Sequence, residues 1–177
     1  NLLCLAEKEV FVMESVADEL IRNMCGEGAR LITEEETARL LEVVFKKKNG
    51  VYSVDKKWVG KDAEIILESI GIHDMECRLI ICQVPHDHPF VLVEQLMPVL
   101  PVVRCKTFEE CVQYAVIAEN GNRHTASIFS KNVDRMTRFA KEIETTIFTK
   151  NAATLVGVGI GGEGHTTMTI AGPTGEG

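Results

Sequence analysis

Short apolar runs and amphipathic helix signals take turns along this chain, and that alternation constrains the fold more than any other feature. Val10-Phe11-Val12 reads as a strand within residues 9–13. Val16, Leu20 and Met24 then recur at helical spacing up to Cys25, with Ser15 as the expected N-cap. Gly26 and Gly28 end that helix. Thr33 followed by Glu36 is a capping-box signature opening a helix over Leu40, Leu41, Val44 and Phe45, with Lys46 to Lys48 expected to cap its C-terminal end. A turn at Asn49-Gly50, a polar stretch through Trp58, a helix over 62–70 closed by Gly71, and a strand over 78–84 follow. The second half reads as strand 99–104, helix 108–118, strand 126–129, helix 133–143 and strand 146–149. Apolar strands joined by helix-length crossovers imply a sheet covered on both faces. The expected class is α/β, with an open, mostly parallel, doubly wound sheet.

At 177 residues the chain has the length of one domain, and 45% apolar residues supply a core for it. Lys and Arg number 19 against 26 Asp and Glu, a formal net charge of −7 that repels phosphate backbones and anionic lipid. No nucleic-acid or membrane partner is expected. Charged residues interrupt every apolar run before the ~20 residues that a spanning helix requires. The six cysteines, Cys4, Cys25, Cys77, Cys82, Cys105 and Cys111, include no CxxC pair and are expected as reduced thiols. The opening Asn1-Leu2-Leu3 without Met, and the closing Thr174-Gly175-Glu176-Gly177, suggest an excised domain.

Candidate chemistry is sparse. Cys4, among leucines, packs as a small hydrophobe unless an adjacent base or a depressed pKa makes it a nucleophile. The run Gly157-Val158-Gly159-Ile160-Gly161-Gly162-Glu163-Gly164 matches GxGxxG in two registers, but β-branched residues follow where a phosphate-binding helix should begin. It reads better as a glycine-rich turn that lets backbone approach a neighbour. His86-Asp87-His88 lacks the third and fourth ligands that zinc takes, so no metal site is expected and a solvated turn is. His124 stands at the entrance to a strand, where open α/β sheets often place functional groups, and reads either as one of these or as a structural histidine. Glu94 precedes a nearly uncharged segment, either as a surface acid or as an acceptor for ligand hydroxyls.

In combination these segments resemble the catalytic domain of the CoA-acylating aldehyde dehydrogenases, especially the propionaldehyde and acetaldehyde dehydrogenases of bacterial microcompartments. Asn1-Leu2-Leu3-Cys4 with Ala6-Glu7-Lys8 resembles that family's nucleophile segment, and Glu94 through Arg104 its cofactor-ribose segment. Gly121-Asn122-Arg123-His124-Thr125 is similar to the His-Thr element of the acylating branch. Gly161-Gly162-Glu163-Gly164, Thr166 to Thr169 and Pro173 to Gly177 are similar to its C-terminal catalytic loops. The resemblance covers nearly the whole chain.

The resemblance implies covalent catalysis. Cys4 thiolate adds to a short-chain aldehyde, the thiohemiacetal gives hydride to NAD, and coenzyme A takes the acyl group from the resulting thioester. The Cys4 backbone N–H would contribute to an oxyanion site, an effect worth about 3 kcal/mol. Glu94 would accept hydrogen bonds from the nicotinamide ribose, and His124 would handle protons or position substrate. NADP and the identity of the aldehyde stay open. Hydrolytic relatives carry an aromatic residue two positions after the ribose-binding Glu, where this chain has Leu96. Their water-activating glutamate would lie before Asn1. On this reading residues 1–177 form one catalytic domain, with the dinucleotide-binding domain outside it, and the isolated chain self-associates without turnover. Further expectations are a homo-oligomer, shell or cargo proteins as partners, and a cytoplasmic location inside a microcompartment of propanediol or ethanolamine utilisation. The alternatives are a non-catalytic α/β binding module with Cys4 packed, a hydrolytic aldehyde dehydrogenase, or a cysteine hydrolase with a base paired to Cys4.

Overall fold

Three of the apolar runs and one further short strand lie side by side in the computed structural model, which describes residues 3–162. By its internal contacts the chain divides into two units. Among the described residues one unit comprises 3–4 and 8–106, and the other 5–7 and 107–162.

The first unit runs β1 (Val10–Met13), α1 (Glu14–Gly26), β2 (Ala29–Leu31), α2 (Glu34–Val44), β3 (Phe45–Lys48), β4 (Val51–Val54), a 3-10 turn (Lys56–Trp58), α3 (Ala63–Glu68), β5 (Leu79–Gln83), α4 (Pro89–Leu92) and β6 (Val99–Cys105). Strands β1, β6, β5 and β2 form a parallel sheet in that order, with Val10 opposite Val102 and Ile80 opposite Val99. Alternate residues of β5 serve opposite faces, as the pleat requires. Ile80 and Cys82 pack with Leu40, Val44, Ile66, Leu67 and Phe90, whereas Ile81 packs with Val12, Ala17, Ile21 and Val102. Both faces are therefore covered, and the α/β, doubly wound expectation holds for this sheet.

The second unit runs α5 (Phe108–Glu119), β7 (Thr125–Ile128), α6 (Val133–Ile143), β8 (Ile147–Lys150) and a 3-10 turn (Thr154–Val158). β7 and β8 pair in parallel, and Val112, Phe139 and Ile143 form a core with Phe108 and Phe148. Thr107 and Asn132 cap the two helices through their side-chain oxygens.

Two local expectations are corrected. Ser15 does not cap α1, because strand passes directly into helix at Met13 and no side chain caps it. The Glu14 carboxylate in the first turn favours that end instead. Lys46 to Lys48 do not cap α2 but form β3, antiparallel to β4 across a turn with Asn49 at φ 52° and Gly50 at φ 81°. An Asn-Gly pair at left-handed φ is the strongest short hairpin signal, and here it outweighs the preference for lysine at a helix end. β2 was not expected, since three residues are too few to show a period.

The capping box is present as read. Thr33 Oγ1 accepts from Glu36 N–H at 3.2 Å, and Glu36 Oε2 accepts from Thr33 N–H at 2.8 Å. Among the described residues no helix is long and apolar enough to cross a membrane.

Candidate active site

Cys4 lies in a turn ahead of β1, and its thiol is exposed and free. The residues after it are tightly held. Leu5 is buried with Ile147 and Val158, and Glu7 Oε1 accepts the Thr154 N–H at 3.0 Å. Lys8 Nζ donates to the Val91 carbonyl at 2.5 Å and stands 3.3 Å from the Glu9 carboxylate. An open thiol on a fixed segment suits nucleophilic attack.

Glu94 follows α4 and is exposed. Its neighbours on both sides are fixed. His88 Nδ1 accepts the Phe90 N–H at 3.2 Å and so caps α4, while the fully buried Phe90 ring meets Phe45 edge-on at 5.3 Å. Gln95, also fully buried, donates from Nε2 to the Val99 carbonyl at 2.9 Å. Leu96 takes φ 51°, a region that non-glycine residues seldom occupy, and its carbonyl accepts the Gly60 N–H at 3.0 Å.

Burial pushes the Glu9 carboxyl above its ordinary value. Lys8 opposes that shift, and the charge of Glu94 adds to it. The Glu94 charge thus acts on Glu9, the residue just before β1. Burial pulls His88 below the usual histidine range, against a smaller opposing pull from Asp87. Expected to sit in a solvated turn, His88 is instead half-buried as a helix cap.

His124 lies in the second unit, half-buried at the entrance to β7. Its backbone N–H donates to Glu119 Oε1 at 2.9 Å, its carbonyl accepts the Ile147 N–H at 3.1 Å, and its Nδ1 is 2.6 Å from Thr125 Oγ1. That contact engages one ring nitrogen of the imidazole.

The glycine run behaves as a close-approach turn as far as Gly162. A Cβ on Gly157 would fall 2.3 Å from Ile147 Cγ2. The expected loops over 163–177 lie outside the described residues. None of the six cysteines forms a disulfide: Cys77, Cys82 and Cys105 are buried, and Cys25 and Cys111 are half-buried. Burial pushes the Cys82 thiol up to about 12, which makes it inert. Among the described residues no group of three or more His, Cys, Asp or Glu side chains could hold a metal ion.

Cys4, Lys8, Glu9 and Glu94 belong to the first unit and His124 to the second. The anchoring roles of Glu7, Lys8, His88 and Gln95 were not read from the sequence. The one available signal was charged and amide side chains placed inside otherwise apolar stretches.

A parallel sheet covered by helices on both faces is the fold of a known class. The chain belongs to the aldehyde dehydrogenase family, whose model matches residues 3–171. Among curated proteins it is similar to the acetaldehyde dehydrogenase (acetylating) EutE of Salmonella typhimurium, 44% identical over 180 residues, covering 100% of this chain and 38% of the relative. Among solved structures it is similar to a propionaldehyde dehydrogenase from the Clostridium phytofermentans fucose utilisation bacterial microcompartment. That match has a TM-score of 0.91 and 44% identity, over 98% of this chain and 40% of that one. The same enzyme has also been solved with one histidine and with one cysteine replaced by alanine. The Rhodopseudomonas palustris propionaldehyde dehydrogenase with bound CoA and an acylated cysteine matches with a TM-score of 0.89 and 43% identity, over 98% of this chain and 39% of that one. The chain therefore spans about two fifths of the length of the relatives it matches.

Proposed function

We propose that this chain is the nucleophile-bearing part of a CoA-acylating aldehyde dehydrogenase acting on a short-chain aldehyde such as propanal or acetaldehyde. The observation that carries the proposal is the exposed, unpaired thiol of Cys4, on a segment whose following residues are held by both polar and apolar contacts. The acylated cysteine and bound CoA of the Rhodopseudomonas relative support the same chemistry.

The Cys4 sulfur forms a C–S bond to the aldehyde carbon, and the carbonyl oxygen takes the developing charge toward the Cys4 N–H. Bound NAD, or NADP, supplies the acceptor for the hydride that leaves that carbon. The thioester on Cys4 then passes its acyl group to the coenzyme A thiol. The C–S bond to Cys4 breaks as the new one forms, and the Cys4 thiolate is regenerated. The balance is aldehyde, CoA and NAD+ to acyl-CoA, NADH and a proton. Glu94 fits the dinucleotide: it is an exposed carboxylate between two pinned neighbours, suited to accept ribose hydroxyls. His124 handles a proton through Nε2 or positions substrate.

Residues 1–177 form the catalytic domain, and the dinucleotide-binding domain belongs to the remainder of the full-length protein. The chain alone does not turn over. The complete enzyme is a homo-oligomer in a bacterial microcompartment, in contact with shell or cargo proteins. The microcompartment source of the Clostridium relative supports that location.

Full-length protein should reduce NAD+ only with both propanal and coenzyme A present, and Cys4→Ala should abolish this. His124→Asn should lower acyl transfer far more than unfolding stability, and unchanged kinetics would remove His124 from the mechanism. Equal turnover without coenzyme A would favour the hydrolytic reading.

A further inference from the structure

Lys8 is an unusual lysine. Only 16% of its side chain is exposed, in a position where the residue type is seldom found unless paired. Its Nζ reaches the Val91 carbonyl, 83 residues away in sequence, at 2.5 Å. Glu9, equally covered, supplies the counter-charge at 3.3 Å. A helix of four residues cannot sustain itself, and its last carbonyls have no partner within the helix. Lys8 fills that vacancy at the C-terminal end of α4, where a cation is also favoured by the helix dipole. His88 holds the N-terminal end.

Only Leu92 and Val93 separate Val91 from Glu94, and the next residue, Gln95, is fully buried and bound to Val99. Glu94 is thus carried on a short span between two fixed points, one of which is the Lys8 ammonium. We infer that Lys8 is a positioning residue, fixing the α4-to-β6 segment so that Glu94 presents its carboxylate to the dinucleotide ribose. The inference rests on the proposed role of Glu94. Without Lys8, Val91 loses its donor and Glu9 loses its paired cation.

The test uses the full-length enzyme with saturating propanal and coenzyme A, and compares Lys8→Met, Lys8→Arg, Glu94→Gln and the double variant Lys8→Met/Glu94→Gln. Lys8→Met should raise the NAD+ KM about tenfold, the loss of roughly one hydrogen bond to a charged acceptor, with kcat nearly unchanged. Lys8→Arg should recover most of that loss, and the rate of Cys4 alkylation by iodoacetamide should not change. Because both residues act through one carboxylate, the double variant should be no worse than Glu94→Gln. Effects that multiply in the double variant would overturn the inference while leaving Glu94 as the ribose acceptor. So would a Lys8→Met variant that loses kcat and Cys4 reactivity together with KM unchanged. An unchanged NAD+ KM in Glu94→Gln would instead refute the ribose role, and this inference with it.

Discussion

Gly157 is where one added methyl group should do the most local damage. A Cβ there would stand 2.3 Å from Ile147 Cγ2 and 3.2 Å from Thr149 Cγ2, whereas carbon atoms pack at about 3.5–4.0 Å. Ile147 is 4% exposed and branched at Cβ, which makes its χ1 stiff. The turn Thr154–Val158 must move off β8. Overpacking costs about 1–3 kcal/mol, and an overlap of about an ångström belongs at the upper end of that range. Ile147→Ala removes the obstructing methyl but leaves a cavity worth about 2–5 kcal/mol. The double variant should fall short of additivity by about 2 kcal/mol, because the new methyl group fills part of the space left by the old side chain. Hydrogen exchange at the β8 and turn amides of the full-length protein reads these opening free energies locally. Exchange should also quicken at residues 5–7, since Leu5 packs on Ile147 and Glu7 accepts the Thr154 N–H. A neutral Gly157→Ala, or a strictly additive cycle, would refute the close-approach reading of the glycine run.

Three further outcomes are expected. With His88 depressed by burial, the unfolded chain binds its proton first on acidification, so this contribution to stability is present above about pH 6.5 and is lost as pH falls toward the folded value. His88→Asn, which keeps a capping oxygen without the titration, should lose less stability from pH 7.5 to 5, and parallel urea-unfolding curves would contradict this. Iodoacetamide at pH 8 should modify Cys4 first and leave Cys82, whose thiol is pushed to about 12, unmodified under native conditions; comparable labelling of the two would reject the burial assignment. Phe90→Ala should destabilise by about 3–5 kcal/mol because the ring is fully buried against Phe45, and a loss below about 1 kcal/mol would show that the pocket is not packed.

Much of the fold was legible because its signals are local. Thr33 and Glu36 announce the start of α2 within four residues, and Val133–Ile143 shows its helical period throughout. What escaped depends on partners distant in sequence. Nothing local to Ala29–Leu31 marks a strand, since its pairing with Leu79–Ile81 defines it. Lys46 to Lys48 read as a helix end, and only pairing with β4 makes them one arm of a hairpin. At the candidate site Cys4, Glu94 and His124 stood out only through their resemblance to a family, because composition gives a lone thiol, carboxylate or imidazole no direction. Lys8 and Gln95 were illegible for the same reason: their acceptors, Val91 and Val99, are backbone carbonyls, which leave no mark in the sequence.

The central claim is that Cys4 carries the acyl group. Full-length enzyme exposed to propionyl-CoA without dinucleotide, then digested and weighed by mass spectrometry, tests it directly. The account predicts a propionyl adduct on the peptide containing Cys4, removed by added coenzyme A. An unmodified Cys4 peptide, or an adduct on any of the other five cysteines instead, would contradict it.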